Sequence, residues 1–168
     1  FPNALRLILG RSEAVTRSPK LLVIETNLDD ITAQTLGYVM EKAFAAGALD
    51  CWFTPIQMKK NRPATQITIL SDSGRKDEML ELLYTETTTL GARINEVERD
   101  CLARTLHRIG TRFGEIDVKV AKYKEQVVSA KPEYDQLREF AASACQPLLV
   151  IEAEVAEDIR RFLAENEF

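Results

Sequence analysis

Between Leu21 and Val97 the apolar residues change period in the order β-α-β-β-α-β, and few folds accommodate that order. Leu21-Leu22-Val23-Ile24 is a short branched run, predicted to be a strand buried on both faces. The polar stretch Glu25-Thr26-Asn27-Leu28-Asp29-Asp30 follows. Leu36, Val39, Met40, Ala43 and Phe44 then recur at helical spacing, with Asp29 or Asp30 as the expected cap and Gly47 as the stop. Leu49 to Lys59 reads as a second strand, placed at a sheet edge or a bulge by Pro55. Asn61-Arg62-Pro63 turns the chain into a third strand, Thr65 to Leu70. After the loop Ser71-Asp72-Ser73-Gly74, a second helix carries Met79, Leu80, Leu82 and Leu83. It ends near Glu86, because the β-branched run Thr87-Thr88-Thr89 disfavours helix, and Ala92 to Val97 resumes as strand. This is the ferredoxin-like split pattern.

The second half has a different rhythm. Arg99 to Ile109 and Glu115 to Ala121 form two strands around the hairpin turn Thr111-Arg112-Phe113-Gly114, and Val127 to Lys131 fits one more short strand. One helix carries Tyr134, Leu137, Phe140, Ala141 and Ala144. Pro147 opens a last helix with Leu148, Ile151, Val155, Ile159 and Phe162 inward. The expected class is α+β: a ferredoxin-like βαββαβ domain over 20–98, then a smaller β-hairpin and two-helix subdomain over 99–168. Residues 1–19 read as a linker, the tail of a preceding domain in a longer protein, since Phe1-Pro2-Asn3 carries neither an initiator Met nor a basic signal region.

Composition removes several functions. With 22 Lys+Arg against 26 Asp+Glu the net charge is -4, which argues against nucleic acid held by bulk charge. One His and three Cys in 168 residues cannot build a zinc finger, a His-rich metal store or an iron–sulfur module. No apolar run approaches the roughly 20 residues that span a bilayer. Cys51, Cys101 and Cys145 are expected to be reduced, mostly buried thiols of a cytoplasmic protein. His107 has no ligand at metal-binding spacing and reads as a strand histidine with a satisfied hydrogen bond. Tyr38, Phe44, Trp52 and Phe53 are expected in the core.

Four polar clusters sit where elements meet loops. In the first, Asp29 and Asp30 beside Thr26 and Asn27 are hard oxygen donors suited to Mg²⁺ or Mn²⁺ carried on a phosphate; spacing alone favours a simple helix cap. In the second, Lys59, Lys60 and Arg62 put three cations on one turn of an acidic chain, enough to clamp a polyphosphate or to be a solvated basic turn. In the third, Thr87, Thr88, Thr89 and Gly91, followed by Arg93, can form an anion nest or merely stop a helix; no Walker spacing exists. In the fourth, Lys131 and Glu133 can reach a phosphate and a sugar hydroxyl, or Glu133 can simply sit in a first helical turn after Pro132.

The same clusters carry a resemblance. Glu25-Thr26-Asn27-Leu28-Asp29-Asp30, Leu36-Gly37-Tyr38-Val39-Met40-Glu41-Lys42, Met58-Lys59-Lys60-Asn61-Arg62-Pro63, Glu86-Thr87-Thr88-Thr89-Leu90-Gly91 and Lys131-Pro132-Glu133-Tyr134 stand in this order. Together they resemble the C-terminal region of the nickel insertion proteins that make the nickel-pincer nucleotide cofactor, over roughly residues 20–145. The resemblance implies a CTP-dependent nickel insertase, a lyase or chelatase acting in cofactor biosynthesis. It would insert Ni²⁺, its substrate, into pyridinium-3,5-bisthiocarboxylic acid mononucleotide, hydrolysing CTP to CMP with Mg²⁺ or Mn²⁺, to supply lactate racemase. This region would be the CTP-binding, trimer-based homo-oligomeric module, with nickel handled by the protein's N-terminal domain and a His-rich stretch. By matched motif, Asp29 and Asp30 would face the metal–phosphate group. Lys59, Lys60 and Arg62 would neutralise the triphosphate. Thr87, Thr88, Thr89 and Arg93 would line the nucleotide, and Lys131 and Glu133 would flank it. No catalytic residue is assigned. The competing function is a non-catalytic regulatory or oligomerisation module of ferredoxin-like type that binds a small ligand, with neither nucleic acid nor membrane as partner.

Overall fold

The computed structural model describes residues 20–166. The expected linker over 1–19 lies outside the described residues. The chain divides at Arg99/Asp100 into two compact units.

The first unit runs β1 (Leu21–Leu28), α1 (Ala33–Ala45), β2 (Asp50–Met58), β3 (Arg62–Asp72), α2 (Lys76–Glu86) and β4 (Arg93–Val97), with single turns at Lys59–Asn61 and Ser73–Arg75. Its sheet order is β2-β3-β1-β4, antiparallel throughout. Each βαβ crossover therefore skips one position, as the split pattern requires. β1 is longer than the apolar run suggested. Leu22, Ile24, Thr26 and Leu28 alternate into the core, while Leu21, Val23, Glu25 and Asn27 are half-buried on the other face. The expectation of a strand buried on both faces is thereby corrected: the strand has one core face. The helices cover that face. Ile24, Val39, Ala43, Ile67, Ile69, Met79 and Leu83 are fully buried together, each larger side chain contributing about 1.5–3 kcal/mol.

Neither Asp29 nor Asp30 caps α1. Thr32 does, its Oγ1 accepting from the Thr35 N–H at 3.1 Å. The strand extends to Leu28, so the chain needs Asp29–Ile31 to turn before a helix can start. Past the helix, Gly47 has φ 88, and a Cβ there would lie 2.7 Å from the Arg75 guanidinium, which itself bonds the Ala46 carbonyl at 2.9 Å. β2 is an edge strand, which accommodates Pro55. Three aromatics expected in the core are not there: Tyr38, Phe44 and Trp52 are exposed, and only Phe53 packs against it. Their positions fall on the outer helix surface and the outer sheet face. Cys51 is buried, and burial pushes its thiol up to about 11, but Cys101 and Cys145 are exposed, against expectation.

The second unit is a meander, β5 (Ala103–Thr111), β6 (Gly114–Tyr123) and β7 (Gln126–Pro132), followed by α3 (Tyr134–Ala144) and α4 (Leu148–Glu165). Ile116, Val118 and Val120 of β6 pack on Leu137, Ile151, Val155 and Ile159. The β5–β6 turn is fixed by Arg112, which forks onto Asp158 at 2.9 and 3.2 Å and also pairs with Glu154 and Glu157. His107 lies in β5 with its Nε2 2.7 Å from the Thr105 hydroxyl, a strand histidine as the sequence suggests.

Candidate functional site

The strand register decides which loops meet. Leu28 at the end of β1 faces Thr65 near the start of β3, Met58 at the end of β2 faces Arg62, and Glu25 faces Arg93 at the start of β4. The β1–α1 loop, the β2–β3 turn and the α2–β4 loop therefore open at one end of the sheet. Three of the four polar clusters are brought together there.

Asp29 accepts a hydrogen bond from Arg62 Nη1 at 2.8 Å. That bond holds the Asp29 carboxyl below its ordinary value, with the charge of Lys59 acting in the same direction. Asp30 accepts from the Thr88 hydroxyl at 2.5 Å. On the outer sheet face Arg93 donates to Asn27 Oδ1 at 2.8 Å and lies 3.6 Å from Glu25. Lys59 and Lys60 are exposed on the turn, where Lys60 (φ 62) and Asn61 (φ 56) both take the left-handed conformation. That backbone costs about 1–2 kcal/mol for a non-glycine residue and forces a tight reversal.

The threonines divide their labour. Thr87 Oγ1 donates to the Leu83 carbonyl at 2.5 Å and accepts from the Thr89 N–H at 3.2 Å, closing α2. Buried Thr26 lies 2.5 Å from Thr89 Oγ1, and both hydroxyls reach the Gly91 carbonyl, at 3.0 and 2.8 Å. Two protons serve this triangle of three oxygens, so one hydroxyl donates to the other, which donates to the carbonyl. Thr87 and Thr89 thus fasten the loop, and Thr88 is the one whose hydroxyl is turned to a carboxylate. Three identical residues in a row carry no sequence signal that separates these roles.

The donor set suits a hard cation only in part. Among the described residues no three His, Cys, Asp or Glu side chains gather to hold a metal ion. Two carboxylates on one loop, beside a hydroxyl, fit Mg²⁺ or Mn²⁺ that keeps its remaining positions for phosphate and water.

Lys131 and Glu133 belong to the second unit. Lys131 is opposite Lys119 in the β6–β7 register, and Glu133 is ion-paired with Lys119. Glu133 makes no side-chain cap to α3, so the helix-start reading is met in position only. Lys131 lines an open groove of about 550 Å³ with Tyr134, Leu137, Glu152, Ile159 and Arg160. The sequence reading missed this groove; its signal was the mixing of Glu152 and Arg160 into the apolar stripe of α4.

Comparison with known proteins decides the family. The nickel insertion protein profile matches residues 1–152. The chain belongs to the nickel insertion protein family. Within that family, the pyridinium-3,5-bisthiocarboxylic acid mononucleotide nickel insertion protein of Thermotoga sp. (strain RQ2) is 41% identical over 159 residues, 95% of this chain and 39% of the relative. The protein of the same name from Clostridium acetobutylicum is 41% identical over 141 residues, 84% of this chain and 34% of the relative. The chain thus spans well under half the length of these relatives. A solved structure described as LarC2, the C-terminal domain of a cyclometallase involved in the synthesis of the NPN cofactor of lactate racemase, in apo form, is 38% identical with a TM-score of 0.78. That match covers 84% of this chain and 97% of the other. The α+β architecture expected from sequence is the one observed. Among the described residues no helix is long and apolar enough to cross a membrane.

Proposed function

We propose that the first unit binds CTP as its Mg²⁺ or Mn²⁺ complex, within a protein that inserts nickel into pyridinium-3,5-bisthiocarboxylic acid mononucleotide. The observation that carries this reading is the convergence of Asp29, Asp30, Lys59, Lys60, Arg62 and Thr88 at one sheet end. Lys59 and Lys60 supply point charges to the triphosphate and Arg62 a planar fork. Asp29 and Asp30 hold the cation that neutralises phosphate charge when bound, and the Thr88 hydroxyl orients Asp30. Thr87 and Thr89 keep the loop in shape, and Arg93 braces the strand ends through Glu25 and Asn27. Lys131 and Glu133 are further proposed nucleotide-binding residues. The three thiols, none in a disulfide, agree with a reducing cytoplasm, and a trimer-based homo-oligomer is the proposed assembly.

Calorimetric titration of CTP with Mn²⁺ tests the site. Wild type is expected to bind, with Lys59→Ala, Thr88→Ala and Lys131→Ala each weakening binding. No heat with wild type, or variants indistinguishable from it, refutes the reading. In the full-length protein with cofactor precursor, single-turnover CTP hydrolysis that survives neutralising Lys59, Lys60 and Arg62 together would instead mark a regulatory module.

A further inference from the structure

One ion pair at the sheet end is a contact that a phosphate has to break. Arg62 donates to Asp29 at 2.8 Å; the Arg62 side chain is 58% exposed and that of Asp29 22%. A guanidinium donates to carboxylate and phosphate oxygens through the same fork. Asp29 therefore occupies a place on Arg62 that a phosphate oxygen would take. Asp29 and Asp30 lie in sequence beside each other, and their charges also repel a free triphosphate. A hard divalent cation reverses both effects. It takes carboxylate oxygens as ligands, loosens the hold on Arg62, and cancels the repulsion. Asp30 stays oriented throughout, because its partner is the neutral Thr88 hydroxyl and not a cation.

We infer that Asp29 determines specificity at this site, holding Arg62 against free triphosphate and releasing it to the metal-complexed nucleotide. The inference rests on the CTP reading above and adds to it an internal competitor. It differs from a plain metal-ligand role in one respect. Relief of charge repulsion alone improves metal-free binding whether or not Arg62 is present, whereas the gain from removing a competitor disappears when Arg62 is absent.

The experiment is calorimetric titration of CTP into this chain, in excess EDTA and in saturating Mn²⁺, for wild type, Asp29→Asn, Arg62→Gln and the double variant. In EDTA, Asp29→Asn is expected to bind about two- to fivefold more tightly than wild type, the scale of an exposed ion pair. Arg62→Gln should bind more weakly than wild type. The double variant should match Arg62→Gln, because Asp29 acts through Arg62. The ratio of affinities with and without Mn²⁺ should fall in Asp29→Asn. Unchanged or weaker metal-free binding by Asp29→Asn overturns the inference, as does an unchanged Mn²⁺ ratio, while CTP binding by wild type leaves the broader reading standing. Absence of wild-type binding in both conditions sinks the two together. Asp29→Ser, which keeps a small polar side chain, serves as the second variant, and circular dichroism melts confirm that each variant is folded.

Discussion

Thr26 offers the sharpest test of how the α2–β4 loop is held. It is 2% exposed, and its hydroxyl meets Thr89 Oγ1 at 2.5 Å and the Gly91 carbonyl at 3.0 Å. Thr26→Val keeps the branched shape and removes the hydroxyl. Gly91 is not orphaned, because Thr89 Oγ1 lies 2.8 Å from the same carbonyl and donates there instead. The loss is then one net hydrogen bond, about 1 kcal/mol, without the larger penalty of an unsatisfied buried group. Thr26→Ala loses the buried methyl as well, adding roughly 0.8 kcal/mol and bringing the total near 2 kcal/mol. The chain has one tryptophan, Trp52, and it lies in the first unit. Thermal melts followed by Trp52 fluorescence therefore read this unit selectively. A loss of 1 kcal/mol should lower its thermal midpoint by about 4–8 °C. Thr26→Val as stable as wild type, with Thr26→Ala costing only the methyl, would refute the claim that the hydroxyl triangle holds the loop. A loss above about 3 kcal/mol for Thr26→Val would equally refute it, since Gly91 would then have been left without a donor.

Arg112→Met should destabilise the second unit, with Trp52 fluorescence unmoved as the control. Arg112 holds the Asp158 carboxyl below its ordinary value of 3.8, so the stabilisation is present above that value and lost as pH falls through the lowered one. The gap between Arg112→Met and wild type in far-ultraviolet circular dichroism melts should be full well above the ordinary carboxylate value and narrow as pH falls below it; a gap independent of pH contradicts the ion-pair account. In native protein two thiols, Cys101 and Cys145, should react readily with a disulfide reagent, and buried Cys51 only after unfolding, as counted by mass spectrometry. Lys60→Gly removes a left-handed non-glycine residue and should raise stability by about 1 kcal/mol while weakening CTP binding, a trade visible by melting and calorimetry on one sample.

The order of elements in the first unit was legible because each helix and strand carries its own period. The boundaries were less so, for local reasons. β1 looked four residues long because Thr26, a polar residue, takes an inward position, which hides the alternation that runs on to Leu28. That extension displaced the cap from Asp29 or Asp30 to Thr32 and freed both aspartates to meet Arg62 and Thr88. The β6–β7 turn was faint because Lys124 (φ 49) and Glu125 (φ 65) adopt a conformation usually signalled by Asn-Gly. Tyr38, Phe44 and Trp52 misled because an aromatic in a regular element is usually core, while these three point outward. At the site, residue types identified the clusters, but only the strand register showed that three of them share one sheet end.

The skipped strand positions of the first unit have a consequence for its synthesis. Asp30 and Thr88 lie 58 residues apart, and the strand that follows Thr88 is the last to be made. A growing chain that has passed Arg62 but not Arg93 has its basic turn and aspartates, yet no threonine loop to close over them. Whatever ligand this end takes can recognise only a finished domain, and by binding it draws the folding equilibrium toward completion. Insertions at Ser73–Arg75, on the opposite end of the sheet, should leave that recognition intact, whereas the same insertion at Lys60 should abolish it.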